Sequence, residues 1–213
     1  MRSAAAWLAL LPALAAGEGL DQVAVRVGAH VITESAVRRH LRMEAFIQNR
    51  EPDLRPEARR IAAEQLVDQT LVRRELELNR YPLPPASEVE ANVEEIRKAR
   101  NEEAGAFARS LERYGFSVEE LRAEVFYEIA LLRFVDFRFS PGVQVSEEET
   151  QQAYEKEVAP EAQRRNTAPP ALEEERANIV KLLTYRKTTA ALEQWLAQAR
   201  QQVKIRYFEE AFR

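Results

Sequence analysis

Strand-forming sequence is confined to the two ends of this 213-residue chain, and that restricts its topology more than any other feature. Val23, Val25 and Val27 alternate with Ala24 and Arg26, the period-two pattern of a half-buried strand. Gly28-Ala29-His30 turns the chain into a short return strand at Val31-Ile32. Far downstream, Val203, Ile205 and Tyr207 alternate with Lys204 and Arg206. A lone two-stranded hairpin is marginal in water. The economical arrangement adds the C-terminal strand to the N-terminal hairpin, so that the ends are sewn together around a helical body.

The stretch between reads as helix. With only six glycines and 31% charged residues, the composition suits amphipathic helices better than glycine-rich loops or large sheets. Thr33 caps a helix from about Glu34 to Asn49, with Val37, Leu41 and Ala45 in register. Pro56 sits in the first turn of a helix reaching about Asn79 that carries Ile61, Ala62, Leu66, Val67, Leu71 and Leu78. Three prolines within Tyr81–Pro85 end it. Ser87-x-x-Glu90, Ser117-x-x-Glu120 and Ser146-x-x-Glu149 have the capping-box pattern. The second of these opens a helix with Leu121, Val125, Ile129 and Leu132 on one face, broken at Ser140-Pro141-Gly142. Gly115 stops the helix before it. Residues 158–170, with three prolines and no apolar period, read as a linker before a last helix from about Ala171 to Gln201.

Residues 1–16 have the build of a cleaved secretory signal peptide. Arg2 forms a basic start, Ala4–Leu14 an apolar stretch too short to span a bilayer, and Ala13-Leu14-Ala15 a small-x-small cleavage pattern. This predicts an exported protein without stable membrane insertion. The absence of cysteine removes disulfides, thiol nucleophiles and Cys-based metal sites together. With 31 Lys+Arg against 35 Asp+Glu there is no basic balance for nucleic acid. His30, in the predicted turn, and His40, on a helix face expected to be exposed, lack the spacing of a metal site. Phosphate loops and nucleophile elbows are absent, and acidic pairs such as Glu119-Glu120 fall in first helical turns, where they favour the helix dipole. No catalytic residue, metal ligand or cofactor is assigned.

The order of these signals resembles that of the SurA-type periplasmic chaperones and peptidyl-prolyl isomerases. Leu20–Val37 resembles the family's opening hairpin and helix start, and Leu66–Glu77 its long second helix. Pro141–Lys156 resembles its acidic "VSDEEI" helix, and Tyr185–Tyr207, including Trp195, its closing helix and strand. The resemblance implies a mainly α fold: a multi-helix chaperone core with a small sheet formed by the N-terminal hairpin and the C-terminal strand. It divides the chain into a signal peptide (1–16), an N-terminal chaperone module (17–157), the linker (158–170) and a closing helix and strand (171–213). Family members with isomerase activity carry parvulin domains where only 158–170 stands here. No glycine or histidine follows Gly142, so that module is missing and no isomerase activity is expected.

The expectation is an ATP-independent periplasmic holdase for unfolded secreted or outer-membrane barrel proteins. A functional apolar patch on a monomer commonly covers about 300–600 Å². At about 25 cal/mol per Å² the gross gain is several kcal/mol before ordering costs, which suits reversible, micromolar binding. The crowded run Phe126–Phe139 offers Phe126, Leu131, Phe134, Phe137 and Phe139 as peptide-contacting residues or as a central core helix. Met43 and Phe46 are further candidates, and an unpaired sheet edge is another route to clients. The sequence leaves open whether the chain is a monomer or a homodimer. It also leaves two other readings: a scaffold subunit using the same apolar surface as a fixed interface, and a residual isomerase.

Overall fold

The computed structural model describes residues 21–213, so the segment read as a signal peptide lies outside the described residues. Strands β1 (Val23–Val27) and β2 (His30–Thr33) form the hairpin, and β3 (Ile205–Tyr207) pairs antiparallel with β1 in a sheet ordered β2-β1-β3. The ends are therefore joined as the strand pattern requires. Gly28 makes the joint possible. Its φ of +59° suits glycine, its N–H donates to the Lys204 carbonyl at 2.9 Å, and an added Cβ would lie 3.3 Å from Val203. His30 belongs to β2, opposite Val27, rather than to the turn, and Val203 precedes β3.

Between the strands run α1 (Glu34–Ile47), α2 (Pro56–Leu78), α3 (Ala86–Ala99), α4 (Ala104–Tyr114) and α5 (Val118–Phe139). They are followed by α6 (Glu147–Ala153), α7 (Ala159–Arg164) and the long α8 (Leu172–Gln201). The fold is mainly α with a small sheet. Thr33, Ser117 and Ser146 cap as expected, the last two in complete capping boxes, and Gly115 ends α4 with φ +85°. Ser87 does not cap α3. Pro85 takes the cap position in extended conformation, so Ser87 falls inside the first turn. The expected linker at 158–170 also begins too early. A π turn at Tyr154–Val158 leads into α7, with Pro160 in its opening positions, and irregular chain starts only after Arg164. Tyr154 fastens that crossing by donating to the Pro170 carbonyl at 2.7 Å.

Three apolar clusters hold these elements. The first joins the sheet to α1 and α2 through Val25, Val27, Ile32, Val37, Leu41, Ala62, Ala63 and Val67. The second joins α1, α3, α4 and α5 through Phe46, Val93, Leu111, Leu121 and Val125. The third sets Val72, Tyr127 and Phe134 against Trp195 and Leu196 of α8. Helix α1 serves the first two with different faces, which explains why its apolar positions are broader than one stripe. Of the α2 positions assigned to the core, Ile61 and Leu78 instead face solvent.

The chain end is locked by a residue that periodicity does not mark. Arg59 of α2 is buried and donates to Glu34 at 2.8 Å, to the Ala211 carbonyl at 3.2 Å and to the Arg213 main-chain oxygen at 2.8 Å. It binds α1, α2 and the final turn (Glu209–Phe212) into one knot, beside buried Phe212. Arg59→Leu leaves the Ala211 and Arg213 oxygens without their donor and Glu34 with Arg38 alone; we expect a loss of about 3 kcal/mol of unfolding free energy, read from the urea midpoint.

Candidate functional site

The residues proposed from sequence separate into core and surface. Phe46 is fully buried, its ring 5.6 Å from Phe107 and 5.4 Å from Tyr114, with the Arg100 guanidinium 4.1 Å above it. Phe134 is also fully buried, with ring centroids of Tyr81, Phe139 and Trp195 at 5.0, 5.6 and 5.3 Å. Neither has surface to offer a ligand; the aromatic run on α5 is in this part a core. Phe139 is half-buried beside Phe134. Phe126 and Phe137 are exposed, by 38% and 59%. Leu132 continues the stripe of Leu121, Val125 and Ile129, yet it is 68% exposed, because the cluster formed with α3 and α4 ends at Ile129.

Leu131 lies half-buried on a groove, whereas Met43, only 6% exposed, packs in the second cluster and merely borders that groove. Two adjoining cavities of about 300 and 320 Å³ open between residues of α1, α2 and α5. The first is walled by Ile47, Val72, Tyr127, Leu131, Leu192 and Leu196. The second is walled by Val31, Ile32, Met43 and Leu66, with Arg39 and Arg73 at its border, and it reaches the edge strand β2. His40, Gln69 and Glu124 belong to both walls. Gln69 reaches Glu124 at 3.5 Å, and His40 Nε2 stands 3.3 Å from Gln65 Oε1. His40 is thus half-buried in the partition, not on an open helix face.

The rim of the first cavity is acidic. Glu44, Asp68, Glu124 and Glu128 line it and no Lys or Arg does. Asp68 is neutralised by a two-pronged pair with Arg200, 2.8 Å on each prong. Glu128, exposed at the rim, has no such partner among the described residues: partial desolvation of its carboxyl, and then the neighbouring Glu124 and Glu44 carboxylates, raise its pKa above the usual glutamate value. Burial likewise pushes the Tyr127 hydroxyl upward. Sequence inspection missed Tyr127, Val72, Leu192 and Leu196. The i,i+4 pair Leu192/Leu196 was a visible signal, but nothing in the order of residues says which helix it faces.

No family model matches the chain, and no curated protein matches its sequence. Among the described residues, no helix is long and apolar enough to cross a membrane.

Two predictions follow from this geometry. Phe134→Ala costs about 3–5 kcal/mol, whereas Phe137→Ala changes stability by less than about 1 kcal/mol; urea denaturation of the two variants checks the contrast. Because the folded-state pKa of Glu128 is raised, its contribution to stability is lost as pH rises through that pKa. Glu128→Gln therefore melts higher than the parent at pH 7, and the difference closes below the ordinary glutamate range, as a thermal series against pH shows.

Proposed function

We propose that this chain is an ATP-independent holdase chaperone, exported to the periplasm, that binds unfolded secreted or outer-membrane proteins through apolar surface and a sheet edge. The observation that carries this reading is the groove. It is open, largely apolar and walled by side chains of four helices, and one end runs out at the outer edge of β2, which no strand among the described residues pairs. An extended client segment can place apolar side chains against the half-buried Leu66, Leu131 and Leu196 while its main chain adds to β2. Cavities of this size sit at the lower end of ligand pockets, about 300–1,000 Å³, so each takes a short segment and the affinity stays modest. The linker after α7 carries no isomerase module, and no prolyl-isomerase activity is expected.

A second reading, a scaffold subunit that uses apolar surface as a fixed interface, draws also on Leu132 of α5 and Leu182 and Tyr185 of α8, which are exposed large apolar residues. The two readings part in solution. Diluting a denatured outer-membrane barrel protein into buffer with a near-stoichiometric amount of this protein should suppress light scattering, while sedimentation shows a reversible complex. Unchanged aggregation at several-fold excess sinks the holdase reading, and a stable assembly through α5 and α8 supports the scaffold.

A further inference from the structure

The acid-rimmed cavity has features that a plain apolar groove does not need. Glu124 and Glu128 stand one turn apart on α5, where like charges repel. Glu44 of α1 faces the same space. The compensation for these charges is slight. Glu44 reaches Arg50 at 3.5 Å, Glu124 has the Gln69 amide at 3.5 Å, and no cation lowers the Glu128 pKa. Arg73, stacked on Tyr127 at 4.1 Å and acting on its hydroxyl by charge, lines the neighbouring cavity, whose wall Glu124 shares.

A second observation is independent of the charges. Tyr127 is 96% buried, since only 4% of it is exposed, and it forms part of the cavity wall. Its hydroxyl makes no hydrogen bond among the described residues, although buried tyrosine hydroxyls ordinarily find a partner. The site therefore combines apolar walls, two weakly compensated carboxylates one helical turn apart, and a polar group without a hydrogen-bond partner among the described residues.

We propose that the cavity bounded by Glu124, Glu128 and Tyr127 takes a basic side chain of a client polypeptide, arginine being the best match, with an adjacent apolar residue resting on Leu131, Leu192 and Leu196. A guanidinium presents five donors in a fixed plane and can bridge two carboxylates while one N–H reaches the tyrosine oxygen. Its aliphatic stem suits the walls. The inference rests on the holdase reading and sharpens it. The groove selects apolar segments that carry a positive charge, and it disfavours acidic ones.

The test uses three fluorescein-labelled peptides of one apolar sequence that differ only in a central Arg, Gln or Glu, titrated into the protein by anisotropy. The Arg peptide should bind about tenfold tighter than the Gln peptide, the Glu peptide weaker still, with the advantage shrinking as salt rises. Glu124→Gln/Glu128→Gln should erase the Arg preference, and Tyr127→Phe should weaken the Arg peptide by about fivefold. Glu77→Gln/Glu112→Gln, which changes the net charge equally at exposed positions that do not line the cavity, should retain the preference. Equal binding of the three peptides, or a preference that survives Glu124→Gln/Glu128→Gln, overturns the assignment. Aggregation suppressed with no Arg preference overturns this inference alone; absence of both overturns the holdase reading with it.

Discussion

The pairing of β3 with β1 is the constraint on which the rest of the structure depends. Three residue pairs, Val25–Tyr207, Arg26–Arg206 and Val27–Ile205, bring together segments separated by almost the whole described chain. Main-chain bonds from Gly28 to Lys204 and from Phe208 to Ala24, each 2.9 Å, extend the seam. Arg59 then fixes the final turn against α1 and α2. Because α8 must end at this seam, its last turns are carried across α2 and toward α5, and Arg200 meets Asp68 there. The direction of α8 is thus set from the sheet.

The groove is a by-product of that geometry. Helix α1 packs one face on the sheet cluster and another on the α3–α5 cluster, while α2 is held to the sheet and to α8. The buried cores of the three clusters stay separate, with half-buried Leu196 packed against both the first and the third, and where they part the walls are apolar but the space is unfilled. Close packing ordinarily removes such space, since unfilled volume forfeits dispersion contacts. Here it persists at the meeting of four helices, lined by residues from each.

The sequence made the ends of elements and the closure of the sheet legible, because those depend on local chemistry. Two of the three capping boxes form, Pro56 and Gly115 sit where their backbone preferences put them, and scarcity of strands left one place for β3. What was not legible is which face of an apolar-rich helix meets which neighbour. Phe134 and Phe137 are three residues apart in the same run and both meet Tyr81, yet one is also enclosed by Phe139 and Trp195 while the other is 59% exposed. Periodicity places Leu132 with Ile129, but only the length of the neighbouring cluster decides that it has no partner. Ser87 failed for a local reason, since the proline two positions earlier took the cap. Likewise Pro160 ends no helix because a π turn makes room for its ring.

The seam also dictates the order in which this molecule can be made. Ribosomes add about 5–20 residues per second, so β1 emerges on the order of ten seconds before β3 exists to cover it. During that interval the hairpin shows two free edges, each a template for pairing with another chain. The first apolar cluster lacks Phe212, Leu196 and Ile205, which come last. Vectorial folding from the N-terminus cannot complete this architecture. Until residues 205–212 arrive, β1 has no β3 beside it and the first cluster stays uncovered, so the young chain itself depends on its edges being shielded.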